Sequence, residues 1–315
     1  MPLPRSEYLS SVWKEGIFNG RVVFVTGGAG TICSAQTRAL VALGANACII
    51  GRNQQKTEAA AIDIATAREG AKVIGIGGCD VRNPENLKSA AERCLKELGA
   101  IDFVIAGAAG NFVAPISGLS ANAFKSVIDI DVLGTYNTVK ATMPYLVESA
   151  ARNPNPSQNG LTGGRILYVS ATFHYTGMPL QAHVSAAKAS VDSIMASVAL
   201  EYGPLGVTSN VISPGGIAGT EGMERLSSSE VDEKTAGETV PLGRLGTIRD
   251  IADATVYVFS DAGNYVNGEI LVVDGGNWRT GVRVGLDSSH RYPDYLLKGE
   301  FSKHVKSGRK EKPSL

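Results

Sequence analysis

One α/β domain, with a doubly wound parallel sheet of about seven strands and helices on both faces, is the architecture this sequence predicts. Three observations carry the prediction. Short apolar runs alternate with longer helical patterns from Val22 onward. The runs are short and largely apolar, as strands covered on both faces are. No internal repeat or long linker interrupts them.

The elements follow in order. Val22–Val25 is the first strand, and it ends in Thr26-Gly27-Gly28-Ala29-Gly30. A helix follows from about Ile32 to Leu43 and closes at Gly44. Ala47–Ile50 is the second strand, Lys56–Glu69 a helix, Lys72–Ile76 the third strand and Pro84–Leu98 a helix. Ile101–Ala106 is the fourth strand, followed by one long helix, Ala121–Glu148. The polar, proline-containing stretch Asn153–Gly160 is a surface loop, too short to link domains. Strand Ile166–Val169, helix Val184–Tyr202 and strand Val207–Ile212 continue the alternation, and helix Ile248–Ser260 with strand Ile270–Val273 completes the sheet. Residues 218–240 are polar and glycine-broken, with helical pieces. The domain therefore spans 21–285, after an N-terminal extension 1–20 and before a basic tail 286–315.

Composition narrows the function classes. Hydrophobic residues make up 43% and charged residues 19%, a globular balance. Lys+Arg and Asp+Glu number 30 each, so the basic excess of a nucleic-acid groove is missing. The four cysteines, Cys33, Cys48, Cys79 and Cys94, form no CxxC pair, and a structural metal is not expected. Reduced, buried thiols of an intracellular protein are the simplest reading. Arg5, Glu7, Lys14 and Glu15 precede any long apolar run, which is the pattern of neither a secretory signal nor a membrane span.

The first strand–turn–helix unit carries glycines where a Rossmann-like fold meets a dinucleotide. Pyrophosphate sits at a helix N-terminus, and glycine lets the backbone approach it. Gly27, Gly28, Gly30, Thr31 and Ile32 are the candidate contacts. On its own such a loop reads equally as a tight turn. Asp80 and Val81 end the third strand, where an adenine would be held. Gly107 and Ala108 end the fourth, where small side chains leave room for a ribose. Arg52 follows the second strand, with Gly51 where an NAD enzyme places an acid. An arginine there pairs with a 2′-phosphate and favours NADPH; the alternative is a solvated surface charge.

Together these residues resemble the short-chain dehydrogenase/reductase family over about Val22 to Gly276. Thr26-Gly27-Gly28, Asp80, Pro214-Gly215 and Val273-Asp274-Gly275-Gly276 are the landmarks. Within the family, the chain is similar to peroxisomal 2,4-dienoyl-CoA reductases, the fungal ones above all. The carrying strings are Trp13–Phe18, Ala108–Phe112, Phe124–Asp131 and His183–Lys188. Two departures stand in the glycine loop: Thr31 and Cys33 occupy usual glycine positions, where they crowd the phosphate unless Thr31 adds a hydroxyl donor. The usual YxxxK pair is also broken, because Val184 precedes Lys188 by four residues. A phenol cannot donate the proton from there, which argues against ketone reduction. Asp131 replaces the usual asparagine of the long helix, as in the peroxisomal dienoyl reductases.

The resemblance implies hydride transfer to a 2,4-dienoyl thioester and return of a proton to carbon. Lys188 then binds the nicotinamide ribose and supplies positive charge. Asp131, beside that cation, is expected to be ionised and so to orient Lys188 and an ordered water, the proton donor. Ser170, with Thr172 as alternative, either donates to the thioester oxygen or bonds its own turn. His183 precedes the active helix and serves either the site or the structure. Asn111 and Phe112 leave the fourth strand toward the substrate, with packing the alternative for Phe112. Tyr175 tempts as a substitute phenol but is left out of the catalytic set. Pro214, Gly215 and Ile217 complete the cofactor contacts. Residues 218–240 form a substrate lid, with Thr220 and Met223 near its hinge.

Family members commonly end in a peroxisomal Ser-Lys-Leu address, whereas this chain ends in Pro313-Ser314-Leu315. A peroxisomal location, with an import receptor at the C-terminus, is expected from the resemblance; the cytoplasm is the alternative. A homodimer or homotetramer is implied too. Two other functions compete: reduction of ketones or 3-oxoacyl thioesters, and a non-catalytic NADPH-binding scaffold.

Overall fold

The computed structural model describes residues 2–154, 163–226 and 233–280. The tail from residue 281, residues 227–232 and most of the loop read as Asn153–Gly160 lie outside the described residues, as does Pro313-Ser314-Leu315. Strands β1 (Val22–Thr26), β2 (Asn46–Ile50), β3 (Val73–Ile76), β4 (Phe103–Ala106), β5 (Arg165–Val169), β6 (Thr208–Pro214) and β7 (Ile270–Val273) form one sheet in the order β3-β2-β1-β4-β5-β6-β7. Every neighbouring pair is parallel. The order reverses between β1 and β4, so a crevice opens at the carboxyl ends of those two strands.

Strand period explains the two cores. Val23 and Val25 of β1 point to the face covered by α1 (Thr31–Ala42), α2 (Gln54–Ala65) and α9 (Ile248–Phe259). Val22 and Phe24 point to the face covered by α3 (Pro84–Leu98), α5 (Gly134–Arg152) and α6 (Ala182–Tyr202). Each fully buried side chain of this kind contributes about 1.5–3 kcal/mol. Phe103 stacks on Phe259 at 4.9 Å and meets the edge of Phe18 at 5.6 Å. The N-terminal extension thus packs on the core. Tyr8, Leu9 and Phe18 are buried. Asp253 Oδ1 accepts from the Ser10 amide and hydroxyl, each at 3.1 Å, and from Trp13 Nε1 at 2.7 Å.

Helix ends follow their caps. Asn83 accepts from the Glu85 amide, Pro84 opens α3, and Gly99 closes it at φ +86°, where a side chain would be strained. Asn53 caps α2, which therefore starts before Lys56, and the helix ends at Ala65 rather than at Glu69. The predicted long helix is three pieces. α4 (Ala121–Val127) runs into a π-helical turn, Ile128–Leu133, and α5 follows to Arg152. Such a turn widens the helix locally and redirects the side chains within it. The described parts of residues 218–240 contain α7 (Glu221–Leu226) and α8 (Glu233–Glu238).

At α9, Thr247 and Asp250 form a reciprocal capping box, and Arg244 holds Asp250 at 2.8 and 2.9 Å. The Arg244 contact is the main force lowering the Asp250 carboxyl from 3.8 to about 2. A carboxyl depressed by folding adds stability above its unfolded value, and that stability is lost as pH falls from about 4 toward 2. Thr247→Ala is expected to cost ~1 kcal/mol in urea unfolding. Asp250→Asn should flatten that part of the acid-stability curve.

Candidate active site

β1 ends in the turn that feeds α1. Gly27 has φ +67°, and a Cβ there would stand 2.9 Å from the Ala108 Cα. Gly30 caps α1 without a side-chain hydrogen bond, so the first amides of the helix are open to an anion. Thr26 Oγ1 accepts from the amides of Gly107 and Ala108 at 3.1 and 3.2 Å and ties the two strand ends together. Cys33 lies on the inner side of α1: a Cβ on Gly107 would come 2.2 Å from its sulfur. The expectation that Cys33 crowds the phosphate is corrected accordingly, since the helix turns that residue toward β4. Burial pushes its thiol up to about 12, so it stays protonated.

The rest of the crevice follows the strand ends. Arg52 is exposed after β2 and makes no ion pair among the described residues. Asp80 is already engaged: Arg82 grips both carboxylate oxygens and holds the carboxyl below its ordinary range. Val81 is buried, and its carbonyl accepts from Asn137. Gly215 follows Pro214 so closely against β7 that a Cβ would meet Asp274 at 2.6 Å. The Ile217 side chain packs into the core, and its main chain bridges to Gly246. Thr220 spends its hydroxyl on the Ile217 carbonyl at 2.8 Å and the Met223 amide at 3.3 Å, which caps α7. Lys56 Nζ meets Glu221 Oε1 at 2.6 Å. That contact links the crossover after β2 to the one after β6, across the ends of β1, β4 and β5.

At the centre, the π-helical turn carries Asp131 inward, 1% exposed. Its Oδ1 accepts from the Gly110 amide at 2.7 Å, and its Oδ2 is 3.1 Å from Lys188 Nζ. Lys188 also donates to the Val169 carbonyl at 3.1 Å. The pair predicted from sequence is therefore joined, buried, and located beside the end of β5. Val184 is 2% exposed and packs with Val127, Ala187, Phe112 and Phe173. The place of the usual phenol has thus become part of an apolar wall.

His183 is fully buried. Its Nε2 faces the Phe112 carbonyl at 3.0 Å, and its ring lies 4.2 Å from the Phe112 ring. Gln181 Nε2 donates to the same carbonyl. His183 and Phe112 thus brace the loop after β4 against the start of α6. Ser170 Oγ and Asn111 Oδ1 are buried and carry no protein partner, an arrangement that calls for a ligand or water.

Sequence reasoning missed a second polar cluster. Asp192, one turn beyond Lys188 on the same face of α6, is 2.7 Å from His174 Nε2 and 3.1 Å from the Tyr175 hydroxyl. No local spacing signals it, because its members lie on the loop after β5, on α6 and on β6. Among the described residues no cluster of metal-ligating side chains occurs, and no helix is long and apolar enough to cross a membrane.

A glycine-lined strand–turn–helix at the switch point, with a buried lysine on the helix after β5, defines a nicotinamide-dinucleotide-type oxidoreductase fold. The chain belongs to the short-chain dehydrogenase/reductase family: the profile described as enoyl-(acyl carrier protein) reductase matches residues 27–277. The peroxisomal 2,4-dienoyl-CoA reductase of Saccharomyces cerevisiae is 50% identical over 292 residues, 92% of this chain and 94% of the relative. The enzyme of that name from Danio rerio is 37% identical over 269 residues, 85% of each chain. A short chain dehydrogenase structure from Bacillus anthracis superposes with a TM-score of 0.72 at 32% identity, covering 88% of this chain and 100% of that one.

Proposed function

We propose that this protein is a peroxisomal, NADPH-dependent 2,4-dienoyl-CoA reductase that forms 3-enoyl-CoA in the β-oxidation of unsaturated fatty acids. The observation that carries this reading is the buried Lys188–Asp131 pair, 3.1 Å apart, with Val184 in an apolar wall where ketone-reducing relatives need a phenol. The named relatives support it.

The residues present fit the cofactor. Gly27, Gly28, Gly30, Thr31 and Ile32 suit the pyrophosphate, Arg52 the 2′-phosphate, Asp80 and Val81 the adenine side. Gly107, Ala108, Lys188, Pro214, Gly215 and the Ile217 main chain suit the ribose and nicotinamide. NADPH supplies a hydride. Ser170 donates to the thioester oxygen as negative charge spreads onto it, and Lys188 adds positive charge. Asp131 orients Lys188 and the ordered water, which gives a proton to carbon. Asn111, Phe112, Thr220 and Met223 border the acyl thioester. His183 acts by holding the loop of Phe112.

Incubation with NADPH and 2,4-hexadienoyl-CoA should yield 3-hexenoyl-CoA by mass spectrometry and NMR; recovery of unchanged dienoyl thioester would reject the proposal. Arg52→Ala should raise the KM for NADPH roughly ten- to a hundredfold, the worth of a charge-assisted hydrogen bond. The KM for NADH should stay unchanged. Exposed Leu133, Tyr136, Leu200 and Leu205 on and beside α5 and α6 support a homodimer or homotetramer.

A further inference from the structure

The cluster around Asp192 is a polar group that this reaction scheme leaves unused. His174 Nε2 lies 2.7 Å from Asp192 Oδ2, and the Tyr175 hydroxyl lies 3.1 Å from the same oxygen and 3.1 Å from Ser213 Oγ. The two ring-bearing residues pack on each other at 4.1 Å, and the edge of Trp278 closes the far side of Tyr175 at 5.4 Å. The side chains of His174 and Asp192 are 6% and 10% exposed. A carboxylate gripped on one oxygen by two side chains cannot rotate, and its other oxygen then has a fixed direction.

That other oxygen, Asp192 Oδ1, is buried and carries no protein partner. The strand register shows what lies next to it. Val169 pairs with Ile212, and the Ser170 amide bonds the Ile212 carbonyl at 2.9 Å, so Ser170 stands beside Ser213 on the same face of the sheet. Ser170 Oγ is the second buried oxygen here without a partner. Lys188, one helical turn before Asp192, bonds the carbonyl of Val169, the residue before Ser170. Ser170 directly, and Asp192 through Tyr175 and Ser213, are thus both tied to the end of β5 that the ammonium group bonds. A buried water needs two to four such polar partners.

We propose that His174 and Tyr175 are positioning residues for the protonation half of the reaction: they pin Asp192 Oδ2 and Ser213, and so present Asp192 Oδ1 and the Ser170 hydroxyl oxygen as further acceptors for the proton-delivering water that Asp131 and Lys188 orient. The inference rests on the reading of the site as a dienoyl-thioester reductase that takes its proton from water. A C–H bond forms as the water gives up its proton. The hydroxide left behind is neutralised by one proton from bulk solvent per turnover.

The test compares the full-length wild type with Tyr175→Phe, His174→Ala and His174→Asn. Each is assayed with 2,4-hexadienoyl-CoA and NADPH or its 4-deuterated form, in H2O and D2O. Tyr175→Phe and His174→Ala should lower kcat roughly tenfold, the lower end of a lost acid–base contribution. KM for both substrates should stay within about twofold. The solvent isotope effect should rise and the hydride isotope effect fall, because protonation becomes limiting. His174→Asn, which keeps an N–H donor, should recover part of kcat. Unchanged kcat, or a loss of kcat with both isotope effects unchanged, would overturn the inference while leaving the reductase reading intact. A wild type that leaves the dienoyl thioester unreduced would overturn both. Should Tyr175→Phe fail to fold, the His174 variants, which act on the same Asp192 oxygen, are read in the same way.

Discussion

Replacing Lys188 by alanine is expected to lower kcat/KM for a 2,4-dienoyl thioester by about three orders of magnitude, the scale of losing a preorganised charge at a water-poor site. The ammonium is held by Asp131 Oδ2 and by the Val169 carbonyl, each at 3.1 Å, so it costs no reorganisation during the reaction. The ribose contact proposed for it predicts weaker NADPH binding as well. Lys188→Arg should not restore activity. The planar guanidinium is bulkier than the ammonium, and the side chain here is only 10% exposed. Steady-state kinetics with NADPH fluorescence titration separates the two losses. Full activity in Lys188→Ala would remove Lys188 from the mechanism.

Asp131→Ala is the second large effect. Removing one partner of a buried ion pair strands the other charge and costs about 3–5 kcal/mol of stability. The same change frees the Gly110 amide, which anchors the loop after β4 through a 2.7 Å bond. A kcat reduction of roughly a hundredfold or more is expected, in line with a misplaced acid–base system. Asp131→Asn keeps an acceptor for Gly110 but not the charge. It should fold near normally and still turn over slowly, which separates the loop-anchoring role from the electrostatic one. Thermal unfolding and turnover measured on both variants decide this. Unchanged turnover and unchanged cofactor affinity in Asp131→Ala would eliminate the orienting role.

Much of this arrangement was legible in the residues because local chemistry marks it. Asn83-Pro84 and Gly99 bound α3 at its observed ends, since a cap, a fixed φ and a left-handed glycine act within one turn. The alternation of short, largely apolar runs with helical patterns located all seven strands. Lys188 and Asp131 were placed together through resemblance, and the structure joins them.

Other features had no local mark. The π-helical turn at Ile128–Leu133 is hidden by continuous apolar periodicity, with no proline inside it to announce a break. Cys33 reads as a phosphate neighbour, because the sequence does not reveal which side of the first helical turn faces the sheet. The N-terminal extension is anchored on Asp253, more than two hundred residues away in the chain. Asp192 likewise gains its partners only when the loop after β5 folds over α6. Sequence spacing reports neighbours along an element, and these contacts cross between elements.

The most direct measurement follows loss of reduced nicotinamide absorbance with NADPH and 2,4-hexadienoyl-CoA, run beside acetoacetyl-CoA under identical conditions. Turnover of the dienoyl thioester with no turnover of the ketone is the predicted result, since Val184 leaves no phenol to protonate an alkoxide. Turnover of acetoacetyl-CoA alone would contradict the account.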